Sequence, residues 1–171
     1  TAPNMSGKST LMRSTLVAAL LANAGLLVPC KRYAHIPRFD TFFLRTASYD
    51  VPAEGKSAFG LEMDDMRVVL RDANHRSLVM IDELGKGTSS RDGASLAGAL
   101  LEHLDNDGVN GIFATHLHEL FQLPLSVNRV IKKKMGIEFN NSNDNDNDNN
   151  DNNDNNDNNS KPRWTFKLED G

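Results

Sequence analysis

The chain has a single cysteine, Cys30. This excludes an internal disulfide framework and suits a reducing compartment. No apolar run reaches membrane-spanning length: the longest apolar-rich stretch, Leu16 to Val28, is broken by Asn23 and Gly25. No self-similarity at a fixed spacing is visible, which removes solenoid and propeller architectures. Excess charge of one sign is confined to one place. The net charge is −4, and setting aside the six aspartates of the tract Asn140–Asn159 leaves the remainder at +2. A domain that near to neutrality argues neither for nor against nucleic-acid contact.

The 171 residues are enough for one ordinary domain with a real core. Residues 7 to 24 have a helical pattern that Gly25 should stop. Leu26 to Pro29 reads as a short buried strand, Lys31 to Arg38 as irregular, and Phe39 to Thr46 as a second strand. A loop from Ala47 to Ser57 leads into a helix over Ala58 to Asn74, where Phe59, Met63, Met66, Val69 and Leu70 recur at three- and four-residue spacing. Ser77 to Ile81 is a β-prone run ending in Asp82-Glu83. Asp92 to Leu104 follows as a helix with Asp92 as its N-cap, and then a strand from Val109 to Ala114 and a short helix from Leu117 to Leu123. Val127 to Phe139 and Arg163 to Glu169 read as the two arms of a hairpin. Between them the Asn/Asp tract has no apolar residue to offset the entropy of ordering, so it is expected to be a disordered insert in an expanded turn. The expected organisation is a domain over 1–139, the insert over 140–160 and a returning strand over 161–171. Strands alternating with helices, with polar motifs at the strand ends, indicate an α/β fold with a mostly parallel sheet flanked by helices.

Ala2 to Ser9 follows the phosphate-loop pattern G-x-x-x-x-G-K-[ST], with alanine in place of the first glycine. The helix that follows puts Gly7-Lys8-Ser9 at its N-terminus, where free amides and the positive dipole end favour a phosphate. Lys8 is placed for the β- and γ-phosphates of a nucleotide and the Ser9 hydroxyl for Mg²⁺. Such a loop ordinarily hangs off the end of a buried strand, and nothing precedes Thr1. The chain is therefore expected to be a piece of a longer protein, and the absence of a targeting pattern at its start excludes nothing.

The strand Ser77–Ile81 delivers two carboxylates to one end. On one reading Asp82 orients Mg²⁺ and Glu83 orients or deprotonates an attacking water; on the other the pair is a solvated acidic turn. The upstream phosphate loop favours the first. Thr115-His116 ends the next strand. His116 either contacts a γ-phosphate or is structural, and His116 with His118 lacks a third partner for a metal site. Ser57, taken alone, is a helix N-cap. The loop Leu84 to Gly93 holds three glycines and three hydroxyls, material for a backbone that approaches another surface closely.

With that loop the chain resembles the MutS family of DNA mismatch-repair ATPases. The resemblance rests on Asn4-Met5-Ser6-Gly7-Lys8-Ser9-Thr10-Leu11-Met12-Arg13, on Ser77 to Thr88 with Gly93, and on Phe113-Ala114-Thr115-His116. It covers nearly all of the chain except the Asn/Asp tract. It implies a P-loop NTPase fold of the ABC-type ATPase class, with ATP and Mg²⁺ as cofactors. Asn4, Met5, Ser6, Gly7, Lys8, Ser9 and Thr10 would bind nucleotide, Ser9 and Asp82 the metal, and Glu83 and His116 would be catalytic. Two subunits, identical or not, would share each nucleotide. Gly55-Lys56-Ser57-Ala58-Phe59 resembles the segment that reaches across, so Ser57 would contact the partner's γ-phosphate, with Thr88 and Ser89 at the dimer interface. Mismatched double-stranded DNA would be bound through domains outside this stretch, and no membrane is implied.

Thr115 to His118, Leu123-Pro124-Leu125 and Lys161-Pro162 with Trp164 are most similar to the organellar branch of plants and algae. That favours mitochondrion or plastid, with the nucleus as the alternative. Ala2 departs from the family pattern and is strained by ~1 kcal/mol if its φ is positive. The Asn/Asp tract is not a family feature. The competing function is a nucleotide-binding dimerisation module without hydrolysis. A chromosome-structuring ATPase should carry a Leu-Ser-Gly-Gly-type signature, which this sequence lacks.

Overall fold

The computed structural model describes residues 6–46, 57–85, 87–139 and 162–171. The expectations for Asn4 and Met5, the Ala2 substitution, Gly55-Lys56, and the Asn/Asp tract lie outside the described residues. The elements are α1 (Lys8–Asn23), β1 (Thr41–Arg45), α2 (Ala58–Asp72), β2 (Ser77–Asp82), α3 (Ser90–Asn106), β3 (Asn110–Ala114), a 3₁₀ turn (His118–Gln122), β4 (Lys133–Phe139) and β5 (Pro162–Asp170).

β1, β2 and β3 form a parallel sheet in that order. All six residues of β2 are buried, as expected for a parallel strand with neighbours on both sides and helices on both faces. Successive side chains of a strand point to opposite faces. On one face Val79 and Ile81 join Met66 and Val69 of α2 and Ala94, Ala97, Leu100 and Leu104 of α3. On the other, Leu78 and Met80 pack with Met12, Leu16 and Ala19 of α1. The alternation along one strand thus divides the core in two, with α2 and α3 on one side and α1 on the other. Among the described residues no helix is long and apolar enough to cross a membrane.

Helix ends follow local chemistry. Gly25 has φ +74°, and the Leu26 and Gly25 amides donate to the Leu21 and Ala22 carbonyls at 2.9 and 3.0 Å, the glycine-terminated C-cap that stops α1. The strand expected over Leu26–Pro29 does not form. Its first amide is committed to that cap, Pro29 has no N–H to donate, and Leu27 is 95% exposed. α3 begins earlier than expected, and Ser89, not Asp92, is its N-cap. The Ser89 hydroxyl accepts from the Asp92 amide at 3.2 Å and donates to the Asp92 carboxylate at 2.7 Å. One hydroxyl does both, so Asp92 sits inside the first turn, where its charge favours the dipole. Ser57 caps α2 as its residue type indicates, accepting from the Gly60 amide at 3.1 Å. On α2 the buried positions are Glu62, Met66 and Val69; Leu70, expected in the core, is 44% exposed.

The hairpin pairs Lys133 with Asp170 through to Phe139 with Pro162, and its register shifts between Met135 and Ile137. The arms are Lys133–Phe139 and Pro162–Asp170, so Val127 to Lys132 stays outside the first arm. At the open end Lys133 Nζ donates to Asp170 Oδ1 at 2.5 Å, holding that carboxyl below the usual carboxylate range.

Candidate functional site

Two backbone turns bring the motifs together at the carboxyl end of the sheet. The first is Gly7, at φ +93°, which turns the chain into α1. It offers no side-chain cap, and the first turn of α1 holds no acidic residue. The Gly7 carbonyl accepts from Leu11 at 2.9 Å, closing the first helical turn. The amides ahead of that bond lie in the first turn, before the i−4 pairing of the helix begins. Ser6 is buried and Lys8 half-buried at this entry.

The second turn follows β2. Asp82 is its last residue and is 8% exposed. Glu83 then adopts φ +56°, in the left-handed region that non-glycine residues avoid, and its amide donates to the Ala114 carbonyl at 3.0 Å. Such a conformation costs on the order of 1–3 kcal/mol and persists only where the surroundings impose it. Its effect is to end the strand abruptly and present the Glu83 carboxylate beside His116, whose Nδ1 lies 3.9 Å from Glu83 Oε1. Thr115, between Ala114 and His116, is buried, and its hydroxyl accepts from the Leu117 amide at 3.0 Å, fixing the turn that carries His116.

The two turns meet at Ser9 and Asp82. Ser9 Oγ donates to Asp82 Oδ2 at 2.5 Å across 73 positions of sequence. The other carboxylate oxygen, Asp82 Oδ1, is buried with no hydrogen-bond partner. A buried carboxylate oxygen left unsatisfied is costly, on the order of 1–3 kcal/mol or more, so this atom suits a ligand that supplies charge. Among the described residues no cluster of three His, Cys, Asp or Glu could hold a metal ion. The donor set is therefore one hydroxyl and one carboxylate. That is too few for Zn²⁺ but fits Mg²⁺, which keeps several waters and takes phosphate oxygens as further ligands.

The remaining site residues fall elsewhere. Ser57 and Ser89 use their hydroxyls on the first turns of α2 and α3. Their two loops adjoin: a Cβ built on Gly87 would lie 2.9 Å from Phe59 Cβ. Thr88 stands in the same loop, half-buried. The loop's glycines are required by close approach. Gly85 has φ +83°, and a Cβ there would lie 2.6 Å from Gly93 Cα, backbone against backbone. Gly85→Ala is expected to lower stability by roughly 2–4 kcal/mol, combining left-handed strain with the clash. Urea unfolding measures this, and a loss below about 0.5 kcal/mol, the scale of an ordinary surface change, would contradict it.

A hollow of about 450 Å³ runs along β3 and is bordered by Lys8, Leu11, Val79, Ile112 and Met135. Lys8 lines it, but neither Asp82 nor Glu83 does.

Sequence reasoning passed over two residues. Arg45, the last residue of β1, is buried. Its Nη2 pairs with Glu62 Oε1 at 3.1 Å, and its Nη1 donates to the Asp82 carbonyl at 3.1 Å. Glu62 Oε1 also accepts from the Gly85 amide at 2.8 Å. Glu62 shares the helical stripe of Met66 and Val69 at positions i, i+4 and i+7, and a carboxylate in an apolar stripe is the signal that was available.

A parallel sheet covered by helices on both faces, with its strand ends facing a helix N-terminus, defines an α/β domain with its candidate site at the carboxyl edge of the strands. Residues 1–155 match MutS domain V. The chain is 47% identical over 81% of its length to the mitochondrial DNA mismatch repair protein MSH1 of Arabidopsis thaliana. It is 46% identical over 76% to a DNA mismatch repair protein MutS of Methanosarcina mazei, and 47% identical over 73% to one of Thermus thermophilus. The chain belongs to the MutS family of DNA mismatch repair proteins. The matched stretch spans 12% of the Arabidopsis protein and 15% of the other two.

Proposed function

We propose that this domain binds and hydrolyses ATP with Mg²⁺, as the P-loop, ABC-type ATPase unit of a mismatch-repair protein. The observation that carries the reading is the Ser9–Asp82 contact at 2.5 Å, with Asp82 Oδ1 buried and unpartnered beside it. The amides of the α1 N-terminus and the Lys8 ammonium favour the polyphosphate. Asn4, Met5, Ser6, Gly7 and Thr10 belong to the same sequence motif and bind nucleotide with Lys8. Ser9 and Asp82 hold Mg²⁺, which supplies neutralisation of the charge developing on the phosphate oxygens. Glu83 orients or deprotonates the attacking water, and the imidazole of His116 contacts the γ-phosphate. The left-handed turn at Glu83 supports separate roles for the two carboxylates, since Asp82 stays in the sheet while Glu83 leaves it.

Two subunits complete each site, with Ser57 of one reaching the nucleotide of the other and Thr88 and Ser89 between them. The exposed Ser57 at a helix N-terminus supports this, because a capped helix end is itself an anion site. In the whole protein ATP drives a clamp on mismatched double-stranded DNA, which binds through other segments. The mitochondrial relative supports an organellar location, mitochondrion or plastid.

Asp82→Asn tests the reading. It keeps the size of the side chain and removes the charge. The expected result is a loss on the order of a hundredfold in Mg²⁺-dependent hydrolysis, with the Mg²⁺ midpoint moved upward. An unchanged rate and Mg²⁺ midpoint would take Asp82 out of the site.

A further inference from the structure

We propose that Arg45 and Glu62 are positioning residues for this site, a buried clamp that sets the Glu83 turn and ties it to the helix carrying Ser57. The inference rests on the ATPase reading above and adds to it.

Glu83 is held in a conformation that its own residue type disfavours. Something must impose it, and the atoms on both sides of Glu83 are tied to this pair. Arg45 Nη1 binds the carbonyl of Asp82, the residue before it. Glu62 Oε1 binds the amide of Gly85, two residues after it. The two ends are joined by the Arg45–Glu62 contact at 3.1 Å, so one closed circuit spans the turn. Both side chains are nearly inaccessible, at 6% and 2%. Desolvating an ion pair gives little or no net stability compared with apolar residues of similar size. What such a pair supplies is a fixed geometry at the groups it touches. The guanidinium is suited to this because its planar fork addresses a carbonyl and a carboxylate together.

Glu62 lies on α2, five positions after Ser57. About 1.4 helical turns separate them, a stretch too short to bend independently. The same helix meets the loop a second time, where Phe59 packs on Gly87. A displacement of Ser57, as when it engages or leaves a partner's nucleotide, therefore carries Glu62 with it and acts on the Glu83 turn of its own subunit. The clamp connects the site a subunit completes for its partner to the site it holds itself.

The test uses the full-length protein with Arg45→Lys, Glu62→Gln and the double variant Arg45→Met with Glu62→Gln. Lysine keeps the charge and loses the fork. Glutamine keeps an acceptor for Gly85 and loses the charge. The double variant leaves no unpaired buried ion. Steady-state hydrolysis is measured beside ATP-binding stoichiometry and thermal unfolding. The expected result is a kcat at least about tenfold lower in each variant, as misplacement of a catalytic group by a fraction of an ångström produces, with KM for ATP and the binding stoichiometry within about twofold of the parent.

A folded variant set with unchanged kcat, or with KM alone raised, overturns the positioning role. If even Arg45→Lys and Glu62→Gln fail to fold, the pair is a determinant of the fold and the proposal is withdrawn. Parent protein that neither binds nor hydrolyses ATP overturns the ATPase reading instead, an outcome distinct from the other two.

Discussion

Glu83→Gln is expected to lower ATP hydrolysis by about 10²–10³-fold while leaving ATP bound. Glutamine matches glutamate in shape and can occupy the same left-handed turn, so the fold and the Ser9–Asp82 pair should persist. What it removes is the charge proposed to orient or deprotonate water. On the proposed reading Asp82 would still hold the metal and the helix N-terminus would still hold the phosphates. The variant should therefore saturate with ATP at concentrations close to those of the parent and accumulate in the ATP-bound state. Single-turnover hydrolysis beside filter binding of labelled ATP checks both halves. Turnover within a few fold of the parent would remove Glu83 from the mechanism. Loss of binding as well would make it a ligand of the nucleotide complex.

The second large effect concerns sharing of the site between subunits. Lys8→Ala removes the ammonium at the α1 N-terminus, and Ser57→Ala removes the hydroxyl at the α2 N-terminus. In a composite site each substitution alone inactivates both sites of a dimer. A dimer of one Lys8→Ala and one Ser57→Ala subunit has one site with both defects and one with neither. Equal mixing with random exchange should then restore about a quarter of the parent rate, because half the dimers are mixed and each has one good site. No recovery at any mixing ratio would place each nucleotide wholly within one subunit. Ser57→Ala also loses an N-cap, worth about 0.5–2 kcal/mol, so unfolding curves must accompany the rates.

Much of the local geometry around the candidate site was legible because its parts are local. Gly7 before Lys8 marks the start of a helix, and the apolar residues of Ser77–Ile81 mark a strand, which the structure puts at the centre of the sheet. Asp82-Glu83 at the end of that strand could only lie at the edge of the sheet. The same local logic placed Ser57 at the start of α2 and stopped α1 at Gly25. Where local logic failed, a competing contact was the cause. Leu26–Pro29 has strand-like residues, but the cap of α1 takes its first amide and Pro29 has none to give. Asp92 has the chemistry of an N-cap, but Ser89 reaches the same amide from outside the turn. Leu70 fits the helical period and still faces solvent, because the buried stripe runs through Glu62, Met66 and Val69.

The sequence by itself determined the order of the motifs, the strand–helix alternation and the chemical identity of the groups at the strand ends. Those properties follow from residue type and from periods of two and 3.6, which act over a few neighbours. Only the tertiary structure decided which groups meet. Ser9 lies against Asp82, and Arg45 joins Glu62, the Asp82 carbonyl and, through Glu62, the Gly85 amide. These partners are far apart in the chain, and no periodicity relates them. Their meeting depends on the register of three parallel strands and on the depth at which α1 and α2 pack. The left-handed turn at Glu83 belongs to the same class, since a glutamate does not choose it and the contacts around it impose it.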